Sequence, residues 1–279
     1  MRLGIVLPSR GRPDGAKRMI ESLMDNAMRP DLVTVYLGVD TGDPTLRAYE
    51  ALSAKVIARD PETTVARMID NLSLAAEGET EAVIRMDDDF ICVTERWDCA
   101  CETMTGLGLW RVGDPTHARG HISFPAMSSE MAAWLRAEQG FVHAPWFPFW
   151  FTDTWLTELG AMSGMTAPLA FDVEQPGGRG ATHGLRDLRF WADFFEMGRP
   201  MRSKVAEKLI LASYPKGCLR EAALYALPMR ALHCAANVEH LRDPAFIAKF
   251  EARADEETGT APARYLRARR DVEEILEAA

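Results

Sequence analysis

Three short apolar runs decide what this chain can fold into. Residues 3–7, 32–39 and 82–86 have the length and β-branched content of buried strands, and each runs straight into a polar turn. The turns are Pro8-Ser9-Arg10-Gly11-Arg12-Pro13, Asp40-Thr41-Gly42-Asp43-Pro44 and Asp87-Asp88-Asp89. Segments of helical period lie between the runs. Asp14 is placed to cap the first, whose buried face is Ala16, Met19, Ile20, Leu23, Met24 and Ala27, with Pro30 as its stop. Thr63 or Thr64 caps the second, with Val65, Met68, Ile69, Leu72 and Ala76 on one face and Gly78 at its end. Strand, helix, strand, helix, strand predicts the α/β class, with a mostly parallel central sheet flanked by helices. In such sheets ligands bind beyond the carboxyl ends of the strands, where Ser9, Asp40 and Asp87 converge.

The second half is less regular. Residues 121–127 read as a further strand, and 141–155 hold three tryptophans and four phenylalanines, more in keeping with core than with a sugar-stacking platform. A glycine-rich loop at 176–180 precedes a helix over about 185–197, and the chain beyond Asp243 is charged and helical over 246–254 and 263–278. A length of 279 residues suits one large domain with an elaboration. The formal charge of −9 argues against a protein devoted to non-specific polyanion binding. Arg199, Arg202 and Lys204, with His117, Arg119 and His121, are the candidates for a local phosphate-binding patch. No apolar run approaches the ~20 residues that span a bilayer, and the first strand is too short for a secretory signal. Cys92, Cys99, Cys101, Cys218 and Cys234 form neither a zinc-type pairing nor a disulfide framework, so reduced thiols and a cytoplasmic location are expected.

The triple aspartate is the sharpest chemical feature. Three adjacent carboxylates repel one another unless a cation neutralises them, and a hard divalent ion such as Mg²⁺ or Mn²⁺ takes one or two carboxylates, completing its shell with phosphate oxygens and water. A solvated acidic turn, or a helix N-terminus favoured by negative charge, is the plainer alternative. Arg10 and Arg12 in the tight loop after the first strand suit a diphosphate, by paired hydrogen bonds.

These segments, in this order, resemble glycosyltransferases of the GT-A fold, inverting and family-2-like. Residues 7–13 resemble the opening strand and nucleotide loop, residues 39–43 the second acidic turn, and residues 85–90 the Asp-x-Asp metal motif. Residues 65–71 and 76–79 resemble the family's Arg-containing helix and Gly-ended turn. Residues 148–160 resemble its acceptor-side segment, and Arg186-Asp187-Leu188 to Gly198 its Glu-Asp helix, with Arg186 where Glu is usual. The resemblance covers about residues 1–240. The chain is expected to divide into a Rossmann-like nucleotide-sugar half at 1–125, an acceptor half at 126–242 and, from its charged helical pattern, a C-terminal helical appendage at 243–279.

The resemblance further implies a nucleotide-sugar donor, UDP-glucose being the default. Pro8, Ser9 and Arg12 would line the nucleoside pocket, with Arg10 and Asp88 beside them, and Asp40 would meet the base or ribose. Arg67 would lie near the uracil or diphosphate, Asp87 near the ribose and metal, and Asp89 on the metal. A late histidine completes many such metal sites. His233 has that place in the order, with His240 and His183 as rivals. An inverting transfer needs a carboxylate to take the acceptor's proton, and Asp187 stands where the family places it, Asp153 and Asp193 being its rivals. The acceptor class stays open among a glycan, a lipid-linked glycan, a protein and a hydroxymethylated DNA base. Two other functions share this pattern: a nucleotidyltransferase making a nucleotide-sugar, and a non-catalytic nucleotide- or carbohydrate-binding protein. Nucleotidyltransferases usually carry a Gly-rich loop after the first strand, whereas this loop holds the single Gly11.

Overall fold

The computed structural model describes residues 1–60, 64–115, 121–147, 151–176 and 188–214, and of residues 188–190 and 193 the backbone only. The strands are β1 (Leu3–Pro8), β2 (Val33–Asp40), β3 (Lys55–Arg59), β4 (Ala82–Arg85), β5 (Ile91–Cys92), β6 (Leu109–Gly113), β7 (Pro125–Ser128) and β8 (Thr166–Glu174). The helices are α1 (Pro13–Asn26), α2 (Leu46–Glu50), α3 (Val65–Ala76), α4 (Trp97–Ala100), α5 (Ser129–Gln139), α6 (Thr152–Ser163), α7 (Leu188–Met197) and α8 (Arg199–Ser213).

All eight strands join one sheet in the order β3-β2-β1-β4-β7-β6-β8-β5. The pairs β1–β2, β1–β4, β2–β3 and β6–β8 are parallel. β7 runs antiparallel to both β4 and β6, and β5 antiparallel to β8. The sheet is therefore continuous across residue 125, where the two halves were divided. The expected appendage at 243–279 lies outside the described residues.

β1 is buried along its whole length, as an inner strand covered on both faces must be. Leu3, Ile5 and Leu7 pack with Met19, Ile20 and Leu23 of α1, whereas Val6 points to the opposite layer with Met68, Ile69 and Leu72 of α3. This is the period of two that a pleated strand imposes. A third cluster joins Phe141, Phe147 and Trp155 to Trp191, Phe194 and Phe195 of α7, so the described part of the aromatic segment is core. Phe149 and Trp150 lie outside the described residues.

Several boundaries differ from the sequence expectation. α1 opens with Pro13 in its first turn and Arg12 at the cap position with no side-chain cap, so Asp14 sits inside the first turn. Proline lacks one of the N–H donors that a helix start leaves orphaned, and the Gly15 N–H donates to the Arg12 carbonyl at 3.0 Å. α1 ends at Asn26, four residues before Pro30. Thr64 caps α3, its hydroxyl accepting the Arg67 N–H at 3.1 Å. The strand expected over 121–127 is shorter, Pro125–Ser128. The helix expected from 185 is described from Leu188.

Gly15 is where the fold is tightest beside the acidic turn. A Cβ there would lie 2.5 Å from the backbone oxygen of Asp88. Gly15→Ala is therefore expected to lose about 1–3 kcal/mol through overpacking, although alanine is the better helix former by about 1 kcal/mol. Urea unfolding checks the sign, and a more stable variant would contradict the close approach.

Candidate functional site

The parallel strands β1, β2 and β4 bring three of the predicted turns to one edge of the sheet. After β1 the chain turns sharply. Ser9 N–H donates to the Gly38 carbonyl at 2.9 Å, and Gly11 takes a positive φ of 63° that suits its lack of a side chain. The turn is tied down by side chains from elsewhere. The Arg12 N–H donates to the Tyr49 hydroxyl at 2.8 Å, and Tyr49 pairs with Ser9 Oγ at 2.8 Å. Ser9 in turn donates to Asp88 Oδ2 at 2.5 Å. Gly11 N–H donates to Asp43 Oδ2 at 2.7 Å, joining the loop to the turn after β2. Burial opposes the Asp43 charge, but Thr45 and the Gly11 N–H more than offset it and hold the carboxyl below its usual range.

The three aspartates then separate into different environments. Asp88 is turned inward, 2% exposed, with its carboxylate on Ser9 and on the Arg12 guanidinium. Burial pushes its carboxyl up to about 6. Asp88 thus ties the loop after β1 to the acidic turn. Ser9 is likewise engaged in the loop's own bonds. Asp87 and Asp89 stay partly exposed. Both Asp87 oxygens lie 3.0 Å from Nη2 of Arg85, the last residue of β4. Asp89 accepts from Gln175 Nε2 at 3.0 Å and lies 3.8 Å from Arg12.

The other predicted residues fall as follows. Asp40, 5% exposed, forms an ion pair with Arg10 at 3.0 Å. Pro8 ends β1 opposite Gly38. Arg67 lies in the first turn of α3, half-buried. Asp187, His183, His233 and His240 lie outside the described residues, as does the Asp193 side chain. The phosphate-patch expectation is corrected at Arg202. It is fully buried, ion-paired with Glu158 and stacked over the Phe195 ring at 3.7 Å from the centroid. Arg199 pairs with Glu158 and Glu196, while His117 and Arg119 are outside the described residues.

Among the described residues no group of three or more His, Cys, Asp and Glu side chains is arranged as a metal centre. The donor chemistry of Asp87 and Asp89 nevertheless fits a hard cation. Burial raises the Asp87 carboxyl, the Arg85 charge opposes that, and the Asp89 charge raises it further. The two carboxylates thus carry a repulsion that a divalent ion, completed by phosphate oxygens and water, would relieve.

Sequence reasoning missed the buried ring of polar groups beside this edge. Because β7 runs antiparallel to β4, the segment leading into β7 meets the end of β4. Arg85 Nη1 donates to the Ser123 carbonyl at 3.0 Å. Burial opposes the Arg85 charge, but Asp87 and Asp153 more than offset it. Asp153, at the start of α6, pairs with His121 Nε2 at 3.2 Å. It follows Phe151, a bulky residue with a φ of 66°, the kind of strained backbone that collects at functional sites. The sequence signal was an Asp within an aromatic segment, and nothing in it paired that Asp with His121.

Comparison with known proteins addresses the fold. No protein-family model matches the sequence, and no curated protein matches it in sequence. The solved structure of S. aureus TarS 1-349 is similar at a TM-score of 0.51 and 12% identity, over 83% of this chain and 72% of that one. The same TarS segment in complex with UDP matches with the same values. The fold is of the GT-A type. No helix among the described residues is long and apolar enough to cross a membrane.

His143 supplies a test of this packing. It is 2% exposed, and burial drives its imidazole down to about 3. As pH falls below ~6.5 the unfolded chain binds a proton that the folded ring refuses, so stability is lost on acidification. His143→Gln is expected to remove that slope. The wild type should lose about 2 kcal/mol more than the variant between pH 7 and pH 5, measured by urea unfolding at both values.

Proposed function

We propose that this chain is a metal-dependent glycosyltransferase that moves a sugar from a nucleotide-sugar, a UDP-sugar first among them, to a hydroxyl acceptor. The observation that carries this reading is the shared edge. Arg10 and Arg12 after β1, Asp40 at the end of β2, and Asp87 and Asp89 after β4 meet at the carboxyl ends of parallel strands, in a fold similar to that of a protein solved with UDP. A nucleoside diphosphate asks for that combination: arginines for its phosphates, and a buried carboxylate for the hydroxyls or base of its nucleoside.

In this reading Asp40 accepts from the nucleoside, and Arg10, now paired with it, turns towards the phosphates. Asp87 and Asp89 would hold the Mn²⁺ or Mg²⁺. Such an ion, when bound, supplies positive charge for the leaving diphosphate. Arg85 orients Asp87 and opposes the effect of burial on its charge, and Arg12 joins the loop to Asp88 and Asp89. The single Gly11 in this loop and the absence of a Gly-rich run favour transfer over nucleotidyl chemistry.

Two measurements test the reading. Release of UDP from a UDP-sugar should require Mn²⁺ or Mg²⁺ and stop in EDTA, and Asp89→Asn should lose at least the ~10²-fold typical of removing one such electrostatic element. Full activity in EDTA would remove the metal from the proposal. Asp40→Ala should weaken UDP binding by about 1–3 kcal/mol in calorimetry, because the nucleoside donors lose their buried partner. An unchanged affinity would assign Asp40 to the turn alone. Pyrophosphate release from an NTP and a sugar phosphate would point to a nucleotidyltransferase instead.

A further inference from the structure

Gln175 reaches the acidic turn from a part of the chain that the donor reading does not use. It follows β8, whose last residues pair antiparallel with β5, Ile91 opposite Glu174 and Cys92 opposite Val173. Two bonds extend that ladder. The Val93 N–H donates to the Asp172 carbonyl at 3.2 Å, and the Asp172 N–H donates to Thr94 Oγ1 at 2.8 Å. On its other side β8 pairs with β6. A strand fixed from both sides delivers the side chain that follows it to one place.

The alternation of β8 decides where that side chain goes. Leu169, Phe171 and Val173 are buried in the cluster that holds Phe90 and Cys92, whereas Ala170, Asp172 and Glu174 are exposed. Gln175 continues the inward set by the strand's period of two and is half-buried. It stands where the apolar layer gives way to the acidic turn, and its Nε2 donates to Asp89 Oδ2 at 3.0 Å. An ionised carboxylate only accepts, so the amide presents its NH₂ group here.

We propose that Gln175 sets which cation the turn accepts, by holding Asp89 so that it offers a single oxygen. This rests on the metal-dependent reading above and names a positioning residue for it. Oδ2 carries the Gln175 amide and lies 3.8 Å from Arg12 Nη1, whereas Oδ1 has no hydrogen bond or ion pair among the described residues. Asp87 is engaged in a comparable way, both of its oxygens lying 3.0 Å from Arg85 Nη2. Neither carboxylate therefore presents two unengaged oxygens. Ca²⁺ gathers about six to eight oxygens and often takes both from one carboxylate, whereas Mg²⁺ is octahedral and takes one or two carboxylates together with water and phosphate oxygens. Mn²⁺ shares the octahedral oxygen shell. A turn that yields single oxygens suits the two smaller ions and handicaps Ca²⁺. Because the amide is neutral and bonds to the ionised carboxylate, Asp89 keeps its charge for the cation.

A purely structural tie between β8 and the turn would alter stability and leave the choice of cation alone, which decides the test. Mn²⁺ binding is read from the loss of its free-ion EPR signal with UDP present, and Ca²⁺ binding from its displacement of that Mn²⁺. Wild type should bind Mn²⁺ more tightly than Ca²⁺, and Asp89→Asn should lose Mn²⁺ binding. Gln175→Met keeps the length of the side chain without its donor, and Gln175→Glu keeps the shape but, when ionised, can only accept. In both, the ratio of Mn²⁺ to Ca²⁺ affinity should fall at least about tenfold, the size of one hydrogen bond to a charged group, with the fold intact by circular dichroism. A ratio unchanged in either variant, whatever its stability, makes Gln175 a structural tie and overturns the assignment while leaving the glycosyltransferase reading in place. A wild type that binds Ca²⁺ as tightly as Mn²⁺, or Mn²⁺ binding that survives Asp89→Asn, overturns it too. No Mn²⁺ binding with UDP bound removes the metal from the proposed function, and this role with it.

Discussion

Charge compensation at the end of β4 is the constraint on which the rest of this edge depends. Asp87, Asp88 and Asp89 stand on consecutive residues and cannot all remain ionised without cations beside them. Arg12 answers Asp88 and lies near Asp89, and Arg85 answers Asp87. One arginine comes from the loop after β1 and the other from β4 itself, so the acidic turn binds its neighbours as much as they bind it. The hydrogen-bonded chain from Arg12 through Tyr49 and Ser9 to Asp88 shares this logic. Each polar group is buried because the next one satisfies it, and chains of this kind strengthen one another in a low dielectric.

Much of this edge was legible in the sequence because its strands are buried on both faces and read as mostly apolar runs. Residues 3–7, 32–39 and 82–86 mark β1, β2 and β4 to within one residue at each end. What escaped were strands without that signature. β3 is an edge strand, exposed or half-exposed along its length, and offers no apolar run. β8 has an alternation in place of a run, Leu169, Phe171 and Val173 being buried while Ala170, Asp172 and Glu174 are exposed. Arg85 escaped for a different reason. A charged residue at the end of an apolar strand looks solvent-facing until its carboxylate partner is placed beside it.

The same limit governed the pairing of distant residues. The sequence offered Asp153 within an aromatic segment but could not bring it to His121, because that contact depends on β7 entering the sheet between β4 and β6 in the reverse direction. Asp88 shows the same limit from the other side. Its place in the motif gave its neighbourhood, and the structure adds that its carboxylate meets Ser9 and Arg12. Motif membership gives the neighbourhood of a residue, whereas the direction of its side chain is decided by which neighbour can satisfy it.

The contact of Gly15 with the Asp88 carbonyl has a thermodynamic corollary. With α1 pressed against the backbone of the acidic turn, the turn has almost no conformational freedom left to surrender when a ligand arrives. Ordering costs in recognition fall on whichever partner is still mobile. At this edge they fall on the ligand and on the exposed arms of Arg10 and Arg12, both about half accessible. The main chain beneath them is a fixed template, so adaptation to a ligand at this edge is left to two arginine side chains.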